Sequence, residues 1–147
     1  LLGAMKGVRP AGRQAAEPPK PSQSPRSSFL RENEARGGHV LDKHVGKTDE
    51  ELLARLKSEP HLREVSTFTD EATAERVIKA AIAENQDEIG KWLKQSRNTR
   101  LELEHSSPAT VGRSLVRGKP GSVDRRVATI ILVKAKEGFY VLTAYVE

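Results

Sequence analysis

The stretch that decides how this chain folds reads GGHVLDKHVGKTDEELLARL and covers residues 37–56. Within it, Thr48 followed three residues later by Glu51 has the pattern of a capping box, in which each side chain bonds to the other residue's backbone N–H. This pattern predicts a helix that begins at Asp49. Three leucines recur at helical spacing and are predicted to form its inner face: Leu52, Leu53 and Leu56.

Two of the four histidines, His39 and His44, lie just before this helix in a segment bracketed by glycines. Glycine lets the backbone turn sharply, so we expect these imidazoles at the mouth of a cleft rather than in a core. Their spacing does not place them on one face of a helix, and the chain has neither Cys nor a His-Glu-x-x-His pattern. The sequence therefore predicts no metal site and no cofactor.

The composition indicates one soluble domain with room for a modest core. Of the 147 residues, 36% are hydrophobic, and no apolar run approaches the length of a membrane span. The net charge is +5, and residues 113–136 alone carry seven basic residues against one acidic residue. This region is suited either to a phosphate backbone or to a solvated face that balances acidic helices. Its candidate phosphate-binding residues are Arg113, Arg117, Lys119, Arg125 and Arg126.

Residues 1–36 are predicted to form a flexible, proline-rich linker. Five of the eight prolines lie before Ser28, among Ala, Ser, Gln and Lys. Such a segment cannot bury enough apolar surface to offset the entropy lost on ordering it. A short helical lead-in is expected from Phe29 to Ala35.

Beyond the first helix, the pattern places helices first and strands afterwards. Apolar residues at helical spacing predict a second helix to about Glu84, capped by Thr69, and a third whose inner face is Ile89, Trp92 and Leu93. Alternating residues then predict strands, the last two joined by a hairpin turn at Gly138. They cover about 101–104, 113–117, 126–134 and 139–146. The predicted class is α+β, an N-terminal helical lobe packed on a C-terminal antiparallel sheet.

The final strand ends in two hydroxyl-bearing residues. Strict alternation predicts one shared face for Phe139, Val141, Thr143 and Tyr145. Thr143 and Tyr145 would then be neighbours suited to hydrogen-bond the non-bridging oxygens of a phosphate. Spacing alone also fits an ordinary solvent-facing Thr beside an amphipathic Tyr.

The two ends of this region together resemble a known family. The residues are Gly38-His39, Lys43 to Thr48, Glu51-Leu52, Arg55-Leu56 and the closing GFYVLTAY of residues 138–145. They resemble the bacterial ribonuclease A-like toxin domains carried at the C-termini of contact-dependent growth inhibition proteins and related polymorphic toxins. The resemblance covers residues 37–147 and implies a ribonuclease A-like fold without disulfides.

The resemblance also implies chemistry. It implies a metal-independent endoribonuclease in which the ribose 2′-hydroxyl attacks the adjacent phosphorus. His44 matches the main general base or acid, and Arg55 the phosphate clamp. Thr143 and Tyr145 match the residues that position the phosphate, with Tyr145 also a candidate proton donor. His39 and Lys43 are secondary candidates, and the basic residues of 113–126 would bind RNA.

The family further implies partners and a destination. The substrate would be RNA, with tRNA among the candidates, and a cognate immunity protein would hold the toxin inactive. We expect that inhibitor to be acidic and to cover the cleft. The domain would be a monomer without a membrane partner. It would be delivered within a larger secreted or cell-surface protein and act in the cytoplasm of a target bacterium.

Two other hypotheses stay open from the sequence. An EndoU-like ribonuclease toxin would also use His, a cation and Thr or Tyr in an α+β domain. A non-catalytic RNA-binding module would rely on the basic residues, although the chain has only six aromatic residues for base stacking. In every reading, His61 and His105 are predicted to be surface residues.

Overall fold

The computed structural model describes residues 27–147, which form five helices and two three-stranded antiparallel sheets. The helices are α1 (Ser28–Ala35), α2 (Val40–His44), α3 (Asp49–Ser58), α4 (Glu71–Glu84) and α5 (Gln86–Lys94). The strands are β1 (Glu64–Phe68), β2 (Arg100–Ser106), β3 (Gly112–Val116), β4 (Ser122–Arg125), β5 (Val127–Ala135) and β6 (Gly138–Val146). The predicted α+β class, with its helices towards the N-terminus, is confirmed.

The strands divide between two sheets because the chain changes sheet at Arg126. One sheet has the order β1-β3-β4 and the other β2-β5-β6. β1 and β3 contact β6, so the sheets meet along that strand. The strand predicted at 126–134 is present as β5, whereas β4 and the division into two sheets were not predicted.

The capping box that opens α3 is present as predicted. The Thr48 hydroxyl accepts from the Glu51 N–H at 3.1 Å, and the Glu51 carboxylate accepts from the Thr48 N–H at 2.9 Å. Leu52 and Leu56 are buried against β1 and β3, whereas Leu53 is 47% exposed and does not belong to the inner face. Helical geometry places Leu53 about 100° further round than Leu52, away from the sheet.

The main core lies between α4, α5 and the β2-β5-β6 sheet. Trp92 is buried in it as predicted, and its indole N–H donates to the Asn98 carbonyl at 3.0 Å. Leu93, predicted to be inward, is 38% exposed. The cap of α4 is Asp70 rather than Thr69, because the Asp70 carboxylate accepts from the Thr73 N–H at 2.8 Å. Within residues 27–147, no helix has the length and apolarity needed to cross a membrane.

The lead-in helix α1 is packed into the domain. Leu30 is fully buried in the main core, and the Ser27 hydroxyl caps the helix by accepting from the Leu30 N–H at 3.0 Å. Arg31 pairs with Glu71 of α4. The helix therefore lies inside the fold, although the sequence analysis assigned its residues to the linker. The rest of that predicted linker, residues 1–26, lies outside the described residues.

One prediction about β6 is wrong. Strict alternation placed four of its residues on one face: Phe139, Val141, Thr143 and Tyr145. Two successive residues of β5 pair with Thr143 and Val141, so Leu142 between them is an additional residue, a β-bulge. Beyond the bulge, the alternation resumes out of phase, and the buried face continues with Ala144. Thr143 and Tyr145 therefore project from the opposite face of the sheet.

Candidate active site

The site forms where α2 crosses the outer face of β6. His44 is the last residue of α2, and the next residue, Val45, bridges Phe68 at the end of β1. This bridge holds the imidazole of His44 over β6, with its ring centroid 5.9 Å from that of Tyr145. The His39 ring centroid lies 6.3 Å from that of His44. The bulge in β6 is what turns Tyr145 towards the histidines.

Three buried polar atoms meet here without a partner. Among residues 27–147, the buried side-chain atoms that lack a hydrogen bond are Nδ1 of His39, Nδ1 of His44 and Oγ1 of Thr143. Buried polar atoms nearly always have partners, since an unpaired one loses its hydration without compensation. All three residues lie where α2 packs against β6, since the His39 N–H donates to the carbonyl of Leu142, the residue before Thr143. The cleft is therefore suited to a ligand that offers several hydrogen-bonding atoms.

The charge around His44 is positive. The pKa of His44 is lowered to about 3, first by burial and then by the positive charge of Arg55, with His39, Lys43 and Lys47 contributing in the same direction. At neutral pH this imidazole is uncharged. It can accept a proton, and the surrounding cations favour an anion beside it.

Arg55 of α3 contributes to this positive charge around His44. Its Nε donates to the Glu59 carboxylate one turn further along at 3.0 Å, and its side chain is 28% exposed. In the described part of the chain, its two terminal nitrogens form no hydrogen bond. Arg55 thus presents donors to the cleft while Glu59 orients its guanidinium group.

The hydroxyl of Tyr145 is held in its protonated form. Burial raises the pKa of Tyr145, with further contributions from the negative charges of Glu147 and Glu102, against a smaller opposing effect from Thr129. Thr129 lies opposite Tyr145 on β5, is buried, and donates its hydroxyl proton to Glu147. The Tyr145 hydroxyl is accordingly a neutral hydrogen-bond donor at physiological pH.

Comparison with known proteins decides the family. The sequence model described as the bacterial CdiA-CT RNAse A domain matches residues 38–145. The chain belongs to this family. The ribonuclease A-like toxin domain of contact-dependent growth inhibition that the sequence resembled is thereby confirmed. Among curated proteins, none matches this chain.

A solved structure supports the same assignment for this CdiA-CT ribonuclease A domain. The chain is similar to one in the crystal structure of a CdiA-CT/CdiI complex from Y. kristensenii 33638, with 36% sequence identity and a TM-score of 0.68. The alignment covers 75% of this chain and 99% of that one. His39 beside His44 would also fit the EndoU-like alternative, but membership of the CdiA-CT ribonuclease A family replaces that reading.

Three of the five predicted RNA-binding residues, all of them arginines, are bonded within the domain. Arg113 pairs with Asp49 at 2.9 Å and donates to the Lys47 carbonyl. Arg117 donates to three carbonyls at the end of α3 and in the loop that follows: Leu56, Glu59 and Leu62. Arg125 bonds to Ser114 and Glu64. These guanidinium groups hold α3 and the β1-β3-β4 sheet together.

The other two predicted RNA-binding residues, Lys119 and Arg126, are exposed and form no ion pair within residues 27–147. Lys119 lines a groove of about 450 Å³ between α3 and the β3–β4 turn, together with Leu53 and Arg117. None of the residues around His44 lines that groove. The basic residues of 113–126 therefore do not converge on the cleft.

Lys47 was not among the predicted site residues, and His105 is not the surface residue that was predicted. Lys47 acts on His44, and its position beside the capping box was visible in the stretch quoted first. His61 is on the surface, with 73% of its side chain exposed, whereas the His105 side chain is only 12% exposed and bonds to Glu84 at 2.9 Å. In residues 27–147, no three His, Asp or Glu side chains are grouped as a metal site would require.

Proposed function

We propose that this domain is a metal-independent endoribonuclease that cleaves RNA by attack of a ribose 2′-hydroxyl on the adjacent phosphorus. One observation carries the proposal: His39, His44 and Thr143 each have a buried polar atom without a partner, and the His44 ring lies 6.3 Å from that of His39 and 5.9 Å from that of Tyr145. A phosphodiester presents two non-bridging oxygens, an attacking oxygen and a leaving oxygen. The cleft has polar groups for all four.

His44 is the general base in this proposal. Its pKa of about 3 in the free protein leaves the imidazole neutral, and a bound phosphate anion would raise that pKa, so the ring can take the proton of the 2′-hydroxyl as the new O2′–P bond forms. The phosphorane carries additional negative charge. Arg55, Lys43 and Lys47 supply the compensating positive charge, while Thr143 and Tyr145 donate hydrogen bonds to the non-bridging oxygens.

His39 is the group we assign to the second proton transfer. As the P–O5′ bond breaks, the departing 5′-oxygen needs a proton, and a protonated imidazole can supply it. The ring of His39 lies 6.3 Å from that of His44, so one phosphodiester group beside the two rings could contact both. The products are a 2′,3′-cyclic phosphate and a free 5′-hydroxyl.

The activity is tested with bacterial RNA in excess chelator. We expect the purified domain to cut the RNA and leave 2′,3′-cyclic phosphate ends. His44→Ala should lower the rate by at least about 10²-fold, the usual contribution of a general base. His61→Ala is the matched control, because His61 is exposed and has no role in the proposed mechanism. A His44→Ala protein that cuts at the wild-type rate would contradict the assignment, and RNA binding without cutting would favour the binding module.

The role of His39 is tested with an activated leaving group. His39→Ala should cleave an RNA dinucleotide poorly but recover on a uridine 3′-phosphate ester of 4-nitrophenol, because that leaving group departs without a proton. Tyr145→Phe should be slow on both substrates, since it affects the phosphate rather than the leaving group. If His39→Ala loses the same factor in cleavage rate on both substrates, His39 is not the general acid that protonates the leaving group.

We infer that the domain acts on RNA, tRNA included, inside a target bacterium, as a monomer delivered within a larger protein, and that a cognate immunity protein neutralises it. The support is the similar CdiA-CT chain, which was solved as a CdiA-CT/CdiI complex. The positive charge around His44 favours an acidic inhibitor that covers the cleft. Co-purification with the neighbouring open reading frame's product, followed by hydrogen exchange, tests this. A complex that leaves Arg55 unprotected would contradict it.

A further inference from the structure

The bulge in β6 lies on an unpaired sheet edge. β6 is the last strand of the β2-β5-β6 sheet, so the backbone groups on its outer side have no strand partner. At the bulge, these groups bond to the segment that connects α1 to α2. The Leu142 carbonyl accepts from the His39 N–H at 2.8 Å. The second bond at this edge comes from α1 itself.

Asn33 of α1 makes that second bond with its side chain. Its Oδ1 accepts from the Val141 N–H at 2.7 Å, a fully buried contact across 108 positions of sequence. Its Nδ2 donates to the Phe29 carbonyl at 2.8 Å, which fixes the amide orientation. Asn33 itself is only 6% exposed. Every atom of this amide that can hydrogen-bond is thus directed at a backbone partner.

The backbone of Asn33 also holds the turn that carries His39. Its carbonyl accepts from the Gly38 N–H at 2.8 Å. Gly38 is pressed so closely against β6 that a Cβ there would lie 2.4 Å from the Val141 carbonyl oxygen. One residue therefore ties together the helix, the His39 turn and the bulged strand.

We propose that Asn33 is a positioning residue for the catalytic cleft and that α1 is part of the catalytic unit. The bulge decides which face of β6 carries Thr143 and Tyr145, and Asn33 holds the bulge against the turn that carries His39. Asn33 lies before residues 38–145, which the family model covers. The catalytic part of this inference rests on the proposed ribonuclease function; the structural part does not.

The test compares four versions of the full chain: wild type, Asn33→Leu, Asn33→Asp and Val77→Ala. Leu has the size of Asn but no acceptor, whereas Asp keeps an oxygen towards Val141. Val77→Ala shortens a buried apolar side chain of α4 and serves as the control for a general loss of core packing. Each protein is assayed for kcat and KM on a short RNA, and for amide exchange and amide chemical shifts by NMR.

In Asn33→Leu we expect faster exchange of the Val141 amide and shifted Thr143 and Tyr145 resonances. We also expect kcat to fall by about 10²-fold, the usual cost of a misplacement near 1 Å, with a smaller change in KM. Asn33→Asp should recover part of kcat, because it keeps the acceptor for Val141 but places its other oxygen against the Phe29 carbonyl. Val77→Ala should lose stability but keep kcat. If Asn33→Leu does not fold, Asn33→Ala replaces it.

Wild-type kcat in folded Asn33→Leu, or an equal loss in Val77→Ala, would overturn the positioning role. These outcomes are separable from failure of the proposed function. If the wild-type domain does not cut RNA, the exchange of Val141 and the resonances of Thr143 and Tyr145 still decide whether Asn33 holds the bulge.

Discussion

At the scale of single residues, the cleft around His44 contains polar side chains that are buried from water without a hydrogen-bond partner in the protein. The His44 imidazole is buried among cations and remains neutral, and the Thr143 hydroxyl lies in the same cleft without a partner. Such groups cost stability in the free protein. They are retained where a ligand satisfies them, which in our proposal is the phosphate of an RNA substrate.

His44 should make the domain sensitive to acid. Its pKa is about 3 in the folded protein and about 6.5 when unfolded, so below pH 6.5 the unfolded state binds the proton more tightly. Stability from this group is fully present above about pH 6.5. It should fall by about 1.4 kcal/mol for each pH unit down to about pH 3. Urea unfolding of wild type and His44→Gln at about pH 7 and about pH 4 measures the difference, and parallel losses in both would contradict it.

Gly38 should not tolerate a side chain. A Cβ at this position would lie 2.4 Å from the Val141 oxygen and 2.9 Å from the Asn33 oxygen, both backbone atoms. We expect Gly38→Ala to lose about 1–3 kcal/mol of stability and to cut RNA slowly, because the His39 turn must move. Gly90→Ala is the control: it meets nothing within 4 Å and should gain up to about 1 kcal/mol as a helix former. Urea unfolding compares the two, and similar stabilities would contradict the close packing at Gly38.

At the scale of elements, α3 is fastened at both ends. The capping box of Thr48 and Glu51 fixes its start, and Arg117 binds the carbonyls at its end and in the loop beyond. Arg55 lies on this helix, so the hydrogen bonds at its two ends determine the position of the Arg55 guanidinium group relative to His44. Its position depends on a strand arginine more than sixty residues away in sequence.

Arg117 and Lys119 should separate stability from RNA affinity. Arg117→Met leaves three carbonyls without their donor and should lose about 1–3 kcal/mol of stability. Lys119→Met should change stability by less than about 0.5 kcal/mol, yet lower the slope of log affinity against log salt by about one if Lys119 contacts a phosphate. Urea unfolding and RNA binding at several salt concentrations measure both effects. If Arg117→Met instead keeps its stability and lowers the salt slope, Arg117 contacts RNA directly.

At the scale of the whole molecule, the domain is two sheets joined at β6, with α1 and α2 closing the junction. The main core spans α1, α4, α5 and the β2-β5-β6 sheet, while a smaller core of Leu52, Leu56 and Val65 lies under α3. The cleft lies at the junction. Its histidines come from the helical part and its hydroxyls from the strand part of the chain.

Truncation should locate the start of the catalytic unit. A chain of residues 27–147 should fold and cut RNA like the full chain, because it keeps α1. A chain of residues 38–147 loses the buried Leu30 and Asn33, and removing Leu30 alone should cost about 2–5 kcal/mol. That is a large share of the roughly 5–15 kcal/mol that stabilises a domain, so we expect partial unfolding and lost activity. Thermal unfolding and RNA cleavage measure this. A stable, active chain starting at residue 38 would contradict it.

Sequence reasoning succeeded where neighbouring residues decide the outcome. The capping box of α3, the stripe on α4, the inward Trp92 and the hairpin at Gly138 follow from local spacing, and each is present. Membership of the CdiA-CT ribonuclease A family was likewise readable from short motifs at the two ends of the domain. These features depend on interactions within a few residues, which a sequence displays directly.

The tertiary structure decided what depends on distant contacts. Strict alternation predicted that Thr143 and Tyr145 share a face with Val141. The bulge at Leu142 instead places both of them on the face opposite to Val141. That bulge is held by Asn33, 108 positions away, so no window along the chain could reveal it. Likewise, Arg113, Arg117 and Arg125 looked like one basic surface, yet each bonds within the domain. Charge counts record which residues are present, whereas packing determines which of their groups remain free for a ligand.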